Sequence, residues 1–431
     1  MIMENTTGWI DFVPDGWNIM NFGQVIERIS TGLNPRDNFK LTKTDKRYYV
    51  TIKNFKDGKL YLDDKCDRIS ENAWEVIQER SDLHKGDILL ASISKEGQVY
   101  LLKEEPNNWN VNESVFCIRV NKRCMNNRYF CYEITNVRYY DDLLMDATGT
   151  TFKSIKQNNL KQSRLLVPPL SEQQAIADYL DETCSKIDEI IAEAKVSIDE
   201  YKNLREAVIS NATTRGIKKN RSMKSSGVEW LPKIPADWNV LSPKVVFTQR
   251  KDRAIKGERQ LTASQKHGIM YQDDYMKEEG VRIVTVEKDF NILKHVEPDD
   301  FVISMRSFQG GLEYSYLRGC ISSAYVMLIP NHKYVYSEYY KWFFKSDKYI
   351  NALQSTSDLI RDGQALRYAN FVKLKLFDIP IEEQKEIADY LNKEVPKIDS
   401  LIAEKESLIN DLEAYKKSLI YEVVTGKRRV V

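Results

Sequence analysis

The side chains that usually do chemistry are scattered thinly along this chain. Its four histidines, His84, His267, His295 and His332, have no cysteine or histidine neighbour at the spacing of a metal-ligand set. None of the six cysteines lies in a Cys-x-x-Cys pair. No Walker-type glycine-rich loop is present, and no Gly-x-Gly-x-x-Gly follows an apolar run. The sequence therefore predicts neither a metal centre nor a nucleotide-binding loop.

Two short acidic phrases have the pattern of a nuclease site, but only superficially. They are Pro14-Asp15 and Asp57-Gly58-Lys59, and such pieces arise by chance in a chain that is 29% charged. The Asn-Pro-Pro-aromatic motif, with which amino-methyltransferases hold the target amine, is absent from the sequence. We therefore expect no catalytic site in this chain.

The elements that would position side chains are duplicated within the sequence. Residues 169–180, Pro-Leu-Ser-Glu-Gln-Gln-Ala-Ile-Ala-Asp-Tyr-Leu, recur 211 positions later as Pro-Ile-Glu-Glu-Gln-Lys-Glu-Ile-Ala-Asp-Tyr-Leu. Over residues 169–193 and 380–404, 14 of 25 aligned positions are identical. A match of this length indicates an internal repeat.

The repeat extends upstream with lower identity. The phrase Trp9…Pro14-x-x-Trp17 is matched 221 positions later by Trp230…Pro235-x-x-Trp238. Gly86-Asp87 before an apolar run is matched 213 positions later by Asp299-Asp300. Each repeat is therefore a variable module followed by a better matched helical module.

The order of these modules predicts how the chain is connected. The lysine- and serine-containing stretch 216–227 is the expected linker between the repeats. By equivalence, the end of the second repeat at residues 424–426 should lie near Trp9. This predicts neighbouring chain termini and a pseudo-twofold arrangement of the two repeats.

The helical modules are each expected to contain two helices. The capping-box pattern Ser171-x-x-Gln174 predicts a short helix that ends at about Glu182. A longer helix should begin near Lys186 in the first repeat and near Lys397 in the second. Pro396 fits the first turn of such a helix but not its interior.

Apolar residues in the longer helices recur at steps of three and four, which is the spacing of a coiled-coil seam. The alternative is that each stripe packs only on its own domain. Arg205 and Lys416 occupy equivalent positions of the seam, where each is expected either to keep its charge in water or to contact a partner. The predicted seam consists of Ile187, Ile191, Ala194, Ile198, Tyr201, Val208, Ile398, Ile402, Ile409, Leu412, Leu419 and Val423.

The net charge of +1 conceals a segregation of charge along the chain. Residues 168–217 carry 5 basic and 10 acidic side chains, whereas residues 218–378 carry 26 and 19. Such basic excess fits phosphate contact, although Lys/Arg runs are also common on solvated faces. The basic clusters are Lys40-Lys43-Lys46-Arg47, Arg119-Lys122-Arg123-Arg128, Arg250-Lys251-Arg253-Lys256-Arg259 and Lys341-Lys345-Lys348.

Hydropathy and cysteine usage predict the compartment. The longest apolar runs are far shorter than the roughly 18 residues of a membrane span. Residues 1–5 contain no basic residue ahead of an apolar core, so no secretory signal is expected. With its dispersed cysteines, the chain is expected to be a cytoplasmic protein with reduced thiols.

These features together resemble the specificity subunit of type I restriction-modification systems. The resemblance is carried by residues 168–177, by their copy at 379–388, by the phrase Val424-Thr425-Gly426-Lys427, and by Pro235-Ala-Asp-Trp238. It covers nearly the whole chain in the order variable, conserved, variable, conserved. The first copy departs from it at residues 213–216, Thr-Thr-Arg-Gly, which affects only where that helix ends.

The resemblance implies an α+β fold. Two mixed α/β target-recognition domains are expected, joined by two long helices that form an antiparallel coiled coil with an internal pseudo-twofold duplication. The expected boundaries are 1–167 for target-recognition domain 1, 168–215 for helical spacer 1, 216–229 for the linker, 230–378 for target-recognition domain 2, 379–426 for helical spacer 2 and 427–431 for the tail.

The resemblance also implies a function. A noncatalytic subunit would read a bipartite target in double-stranded DNA, one half-site per domain, and would dock two methyltransferase subunits on its helices. Restriction/translocase subunits would complete an adenine-N6 methyltransferase and ATP-dependent endonuclease. S-adenosylmethionine, ATP and Mg are expected on those partners and no cofactor on this chain, and no membrane partner is expected.

Long polar side chains on expected loops are the candidates for contacts with bases and phosphates. Among them, Arg306 is favoured because a strand precedes it and Gly310 permits a close backbone approach. The candidates are Lys43, Arg47, Lys95, Gln98, Lys153, Gln157, Arg259, Gln260, Arg306, Gln309, Arg361, Gln364 and Arg367.

A helical protein-interaction scaffold without sequence-specific DNA binding is the alternative hypothesis. In that case the acidic helices would be the working surface. The salt dependence of DNA binding separates the two hypotheses, because a protein that neutralises several phosphates loses affinity steeply as salt rises.

Overall fold

The computed structural model describes residues 9–56, 58–93, 98–145, 154–286, 290–304, 307–356 and 367–430. The chain divides into two compact units. Unit 1 comprises residues 1–194 and 407–431, and unit 2 comprises residues 195–406. Each unit therefore combines one variable module with parts of both helical modules.

Unit 1 is built from short strands and helices that precede a long helix. Its strands are β1 (Asn18–Asn21), β2 (Ile26–Thr31), β3 (Arg47–Val50), β4 (Phe55–Lys56), β5 (Lys59–Leu60), β6 (Arg68–Ile69), β7 (Ile88–Ala91), β8 (Val99–Leu101), β9 (Trp109–Val111), β10 (Val115–Val120) and β11 (Arg164–Val167). Its helices are α1 (Glu71–Ser81), α2 (Asn127–Thr135), α3 (Val137–Met145) and α4 (Gln157–Gln162), after which α5 (Leu170–Arg215) begins.

Two sheets form the body of unit 1. An antiparallel sheet has the order β2-β10-β7-β8, and its central strand β7 is buried along its whole length because it is apolar at every position. A second sheet, β6-β3-β9, contains a parallel pair in which Tyr48 is opposite Trp109. The pair β1–β11 carries the chain from the module into α5.

Unit 2 has the same kinds of elements. Its strands are β12 (Met223–Ser225), β13 (Lys233–Pro235), β14 (Asn239–Leu241), β15 (Phe247–Arg250), β16 (Leu261–Ser264), β17 (Gly268–Tyr271), β18 (Lys294–Val296), β19 (Phe301–Ile303), β20 (Glu313–Tyr314), β21 (Gly319–Ile321), β22 (Val326–Pro330) and β23 (Leu376–Asp378). Its helices are α6 (Pro243–Val246), α7 (Gln272–Glu279), α8 (Ser307–Gly310), α9 (Ser337–Phe343), α10 (Asp347–Ser355) and α11 (Tyr368–Phe371), followed by the long helix α12 (Ile381–Val424).

The sheet order of unit 1 recurs in unit 2. The sheet β15-β22-β19-β20 repeats β2-β10-β7-β8, and the pair β14–β23 repeats β1–β11. The apolar strands expected after Asp87 and Asp300 are confirmed as β7 and β19. The rest differs, since unit 2 has the hairpin β16–β17 and the pair β18–β21 where unit 1 has its three-stranded sheet.

An aromatic cluster fills the core of unit 2. Phe247 packs edge to face on Phe301 at 5.5 Å and contacts Phe344 at 5.4 Å between ring centroids. The last turns of α5 enter the same core through the buried residues Ile209 and Ala212. Helix α5 is therefore an integral part of unit 2 as well as the exit of unit 1.

The expected break inside each helical module is wrong. Helix α5 runs without interruption for 46 residues, about 69 Å at 1.5 Å per residue, and α12 continues through Pro396. A helix-interior proline costs roughly 3 kcal/mol because it removes one N–H and crowds the preceding turn. Pro396 is exposed, while Leu391 and Val395 beside it are fully buried, so their burial on a continuous helix offsets that cost.

The expected capping box at Ser171 is also wrong. Helix α5 begins at Leu170, and the carbonyl of Pro169 accepts the N–H groups of Glu172 and Gln173, both at 2.9 Å. Ser171 therefore lies within the first turn. The first N–H groups of a helix have no partner in a preceding turn, and the carbonyl of Pro169 accepts two of them.

Antiparallel helix pairs occur within each unit. In unit 1, Lys416 Nζ lies 2.6 Å from Asp188 Oδ1, and in unit 2, Arg205 Nε lies 2.7 Å from Asp399 Oδ1. Both charged seam positions thus pair with an aspartate of the other long helix. The two ion pairs are equivalents in the repeat, because Asp188 and Asp399 are 211 residues apart, as are Arg205 and Lys416.

The predicted seam positions are buried to different degrees. Fully buried are Ile187, Ile191, Ala194, Ile198, Ile398, Ile409, Leu419 and Val423, and half-buried are Tyr201, Val208, Ile402 and Leu412. The α+β class, with mixed modules joined to long helices, is confirmed. The pseudo-twofold relation between the units stays a prediction.

Candidate nucleic-acid interface

One tryptophan in each unit is hydrogen-bonded to the first turn of a long helix. In unit 1, Trp17 Nε1 donates to Glu172 Oε2 at 3.0 Å, and in unit 2, Trp238 Nε1 donates to Glu383 Oε2 at 3.1 Å. The same contact at matched positions shows that each variable module is fixed to its helix in the same way.

A buried glutamine next to each of these glutamates completes the contact. Gln173 donates to the carbonyls of Cys124 and Pro168 and accepts the N–H of Asn126 at 2.8 Å. Gln384 donates to Tyr334 O and Ile379 O and accepts the N–H of Tyr336 at 2.8 Å. We call Trp17, Glu172 and Gln173 anchor 1, and Trp238, Glu383 and Gln384 anchor 2.

The two anchors are reinforced by different arginines. In unit 2, Arg221 lies between Glu383 and Asp237, and it lowers the pKa of Asp237. Arg221 belongs to the predicted linker 216–229, which also contains β12 and is thus built into unit 2. In unit 1, Arg128 instead reaches Asp178 at 2.7 Å and Asp181 at 2.6 Å on α5.

A buried carboxyl distinguishes the module–helix contact of unit 1. Glu133 is fully buried, where it accepts the N–H of Leu166 at 2.8 Å and lies 3.4 Å from the hydroxyl of Tyr129. Burial raises the pKa of Glu133 to about 8. The matching residue of unit 2, 210 positions later, is Phe343 in the aromatic core.

Each unit also holds a buried aspartate against an arginine of its four-stranded sheet. Arg119 lies 2.8 Å from Asp87 in unit 1, and Arg250 lies 2.7 Å from Asp300 in unit 2. Burial raises the pKa of Asp300, an effect that hydrogen bonds from Arg250 oppose. Two members of the predicted basic clusters are therefore engaged inside the fold.

The predicted contacts of unit 1 lie mainly around β3. Lys43 is exposed and lies 2.9 Å from Asp67, while Arg47 is hydrogen-bonded to Glu71 and stacks over Trp74 at 4.8 Å. Gln98 precedes β8 and Gln157 begins α4, and both are half-buried. Lys95 and Lys153 lie outside the described residues. Lys43 and Arg47 thus both contact residues of the segment 65–71, which contains β6.

The predicted contacts of unit 2 include one arginine held in a similar way. Arg259 stacks over Tyr271 at 3.5 Å and pairs with Asp273 at 2.8 Å. The amide of Gln260 is taken up by the backbone of Val286, with which it makes hydrogen bonds of 2.8 and 3.0 Å. A carboxylate and an aromatic face hold the guanidinium of Arg259 in a fixed orientation at the surface.

The remaining predicted contacts of unit 2 are less well defined. Gln309 is exposed in α8 and Arg367 is exposed ahead of α11, whereas Arg306, Arg361 and Gln364 lie outside the described residues. The close backbone approach expected at Gly310 occurs at Gly311, with φ of +77°. There a Cβ atom would lie 1.9 Å from Phe344 O. All these assignments to DNA contact stay predictions.

Sequence reasoning missed both anchors, although their residues lie in the repeated phrases. The available signal was that each repeat contains one tryptophan phrase and one Glu-Gln pair, which are 155 residues apart in unit 1 and 145 in unit 2. Among the described residues, no group of three or more His, Cys, Asp and Glu side chains could hold a metal ion. The described helices include none that is long and apolar enough to cross a membrane.

Comparison with known proteins matches these features to one family. The family described as type I restriction modification DNA specificity domain matches residues 14–199. A protein named as the MjaX type I restriction enzyme specificity subunit of Methanocaldococcus jannaschii is 25% identical over 97% of this chain and 95% of its own length. The EcoBI specificity subunit of Escherichia coli is 28% identical over 145 residues, 32% of this chain and 30% of that protein.

Residues 14–199 therefore match the family of type I restriction-modification DNA specificity domains, and the chain as a whole is similar to a type I specificity subunit. Such a subunit is noncatalytic and associates with DNA and with other subunits of its system.

Solved structures show the same fold for this chain. A chain from a structure of a type I R-M system has a TM-score of 0.70 at 14% identity, covering 97% of this chain and 100% of that one. The HsdS subunit from Thermoanaerobacter tengcongensis has a TM-score of 0.51 at 13% identity, covering 99% and 100%. At these identities the likeness concerns the fold alone.

The helix pairs of this chain expose apolar side chains in both units. In unit 1, Ile190 and Tyr415 are 45% and 48% exposed and lie beside the Asp188–Lys416 ion pair along their helices. In unit 2, Leu204 and Leu401 are 48% and 39% exposed and lie beside the Arg205–Asp399 pair. We call Ile190 and Tyr415 patch 1, and Leu204 and Leu401 patch 2. The same repeat positions are therefore apolar and exposed in both units.

Proposed function

We propose that this specificity subunit reads a bipartite target in double-stranded DNA, one half-site with each variable module. The observation that carries this proposal is the repeated anchor. Identical Trp–Glu hydrogen bonds and Gln clamps hold two modules whose second sheets differ. Two modules that differ in structure but are fixed to the long helices by the same anchor are suited to reading two different short sequences.

The long helices suit the task of setting the distance between half-sites. Helix length is fixed by backbone hydrogen bonds at 1.5 Å per residue, so it does not depend on the side chains of the modules. Each unit contains an antiparallel section of both helices, tied by an ion pair. The modules are therefore free to vary in sequence while the spacing stays constant.

We further propose that two methyltransferase subunits dock on the helix pairs, one at each patch. Patch 1 and patch 2 occupy equivalent repeat positions, because Ile190 and Leu401 are 211 residues apart, as are Leu204 and Tyr415. A partner with one apolar helix face would find the same surface twice. This stoichiometry follows from the duplication of the surface.

The activities of the complex belong to those partners in this proposal. The assembly would be an adenine-N6 DNA methyltransferase and, with restriction/translocase subunits, an ATP-dependent endonuclease. S-adenosylmethionine, ATP and Mg would bind the partner subunits. We propose the cytoplasm as the location of this chain, because the DNA and these cofactors are found in the cytoplasm.

Mapping of methylated adenines tests the proposal. The full chain is expressed with its methyltransferase subunit in cells without other adenine methylation, and modified positions are read by sequencing. We expect two short constant sequences separated by a gap of constant length. Methylation at one continuous sequence, or without sequence preference, would contradict a bipartite reader.

The spacing proposal has a separate test. Insertion of seven residues after Ile198, with a matched insertion in α12, adds about 10 Å to each helix and nearly preserves the heptad register. The gap should lengthen by a few base pairs while both half-site sequences stay the same. An unchanged gap would overturn the role of the helices as a spacer.

A further inference from the structure

Unit 2 carries two basic side chains directly opposite each other on neighbouring strands. Arg253 and Lys294 are partners in an antiparallel bridge. On either side of them, Ala254 N donates to Leu293 O at 3.1 Å and His295 N donates to Asp252 O at 3.0 Å. Residues 252–254 therefore lie antiparallel alongside β18, joined to it by one isolated bridge. Side chains directly opposite in such a pair have Cβ atoms about 5 Å apart on one face.

This like-charge pair is not neutralised by the residues that the structure describes. None of the described carboxylates lies within ion-pair distance of Arg253 or Lys294. Lys294 is half-buried, and burial together with the charge of Arg253 lowers the pKa of its ammonium group. Like charges directly opposite on paired strands destabilise a sheet. The unliganded protein therefore holds a repulsive contact at this point.

Both side chains keep hydrogen-bond donors available. Lys294 Nζ donates to Tyr325 O at 2.6 Å, and Arg253 Nη1 donates to Ile292 O at 3.2 Å. An ammonium group has three N–H donors and a guanidinium has five, so both side chains have donors left for an anion. The contacts with the two carbonyls hold the side chains near the surface.

Two exposed lysines extend this positive face along the chain. Lys251 and Lys256 lie on either side of Arg253 in the segment between β15 and β16. By contrast, the neighbouring Arg250 and Arg259 are paired with aspartates. We call Lys251, Arg253, Lys256 and Lys294 the basic strip. Unlike Arg250 and Arg259, these four side chains form no ion pair with any described carboxylate.

Resting on the proposed function, we propose that the basic strip holds the sugar–phosphate backbone beside the half-site that unit 2 reads. A phosphate between Arg253 and Lys294 would turn their repulsion into two attractive contacts. Contacts of this kind fix the position of a reader on the duplex and carry no base preference of their own. The strip is thus a positioning surface rather than a reading surface.

The strip is a feature of unit 2 alone. At the repeat offsets, Arg253 matches Gly32 and Lys294 matches Ser81. A Cβ atom at Gly32 would lie 1.7 Å from Val111 O, so that position admits no side chain. Ser81 is buried and hydrogen-bonded to Asn110 at 2.9 Å. Unit 1 must therefore hold the backbone with different residues.

The salt dependence of DNA binding tests the strip. The double variant R253Q/K294M of the full chain, assembled with its methyltransferase subunits, is titrated with specific and nonspecific duplexes across a range of salt. Removal of two phosphate contacts should reduce the slope of log K against log salt by about 1.8. Both affinities should fall, whereas the methylated sequence should not change. The matched control K233A/K244A removes two exposed lysines of unit 2 and should leave the slope unchanged.

A stability measurement separates anion binding from a structural role. Because R253Q removes a like-charge contact, its unfolding midpoint without DNA should equal or exceed that of the wild type. A lower midpoint would overturn the proposal by showing that Arg253 stabilises the fold.

The binding outcomes distinguish the two proposals. A wild-type complex without sequence preference sinks the proposed function. If the wild-type complex binds specifically but R253Q/K294M leaves the slope of log K against log salt unchanged, only the strip proposal is overturned. The same holds if R253Q/K294M loses subunit assembly while its DNA binding is unchanged.

Discussion

Unit 1 and unit 2 use the same four-stranded sheet order and the same anchor, and they differ in what they attach to it. Unit 1 adds a three-stranded sheet with a parallel pair, whereas unit 2 adds a hairpin and a second strand pair. The shared anchor fixes each module to a long helix, and proposed DNA contacts such as Arg47 and Lys294 lie in the differing parts. The comparison shows that the two modules keep the same attachment to the helices while the strands around the four-stranded sheet differ.

The units also differ in the polar groups that they bury where each variable module meets its long helix. Unit 1 buries the carboxyl of Glu133, and unit 2 places Phe343 at the matching position. Unit 2 buries Trp238 completely, while Trp17 of unit 1 retains 8% exposure. We therefore expect the two anchors to contribute unequally to stability, and variants made in pairs measure the difference.

The largest effect is expected from the anchor tryptophans. Trp238→Ala removes a fully buried indole and its hydrogen bond to Glu383, at a cost of about 3–5 kcal/mol to the stability of unit 2. Trp17→Ala should cost unit 1 less. Chemical denaturation followed by hydrogen exchange, which reports each unit separately, provides the measurement. Equal losses in the two variants would show that the anchors are energetically equivalent.

A smaller effect is expected from charge placed on one patch. Ile190→Glu with Tyr415→Glu should weaken methyltransferase binding at patch 1 about a hundredfold, near 2.7 kcal/mol. The stoichiometry seen in native mass spectrometry should then fall from two methyltransferases to one. Leu204→Glu with Leu401→Glu is the matched pair for patch 2. Retention of two partners by both variants would place the docking surface elsewhere.

The buried carboxyl should make the stability of unit 1 depend on pH. Burial raises the pKa of Glu133 to about 8 in the folded state, from an ordinary value of 4.5. Folding therefore favours the protonated form, and the stability of unit 1 should fall as pH rises from about 4.5 to about 8. Glu133→Gln removes this dependence and should stabilise unit 1 by roughly 1–2 kcal/mol at pH 8, with less effect at pH 5.

Thermal unfolding at pH 5 and pH 8 checks this expectation. Because Phe343 replaces the carboxyl in unit 2, hydrogen exchange in unit 2 should not change in the Glu133→Gln variant. A gain that is equal at both pH values would contradict the titration of Glu133 as its cause.

The smallest effect is expected from the helix ion pairs. Both pairs are partly exposed, so each should contribute about 0.2–1 kcal/mol, less at high salt. Double-mutant cycles on Asp188–Lys416 and on Arg205–Asp399 measure the two coupling energies. Since arginine and lysine occupy equivalent positions, the cycles also show how the two cations differ at one site. Coupling above about 2 kcal/mol in either cycle would contradict the exposure of the pairs.

Much of the fold could be predicted from the sequence because it depends on local patterns. The repeated Glu-Gln phrases, the apolar strands after Asp87 and Asp300, and the helical spacing after Ile187 are all visible in the chain. The contact of residue 426 with the first residues of unit 1 also followed from the repeat. It is confirmed by Lys427, which lies 3.6 Å from Asp11.

Other features depended on contacts between residues that are far apart in the sequence. Pro396 predicted a helix break, but the burial of Leu391 and Val395 in unit 2 outweighed it. The sequence suggests Gln260 as a DNA contact but does not indicate that its amide is hydrogen-bonded to the backbone of Val286. The sequence does not single out Lys294, because its pairing with Arg253, 41 residues earlier, is not encoded by any local spacing.

The sequence by itself determined the duplication, the mixed class of the modules, the long helices and the family, because each of these is written in identities and periodicities along the chain. Only the tertiary structure decided which charges remain available for a ligand. Arg119 and Arg250 read as part of basic clusters, yet each is paired with a buried aspartate, while Arg253 faces Lys294. The physical reason is that the state of a charged side chain depends on the groups within a few ångströms of it, and folding assembles those groups from distant parts of the chain.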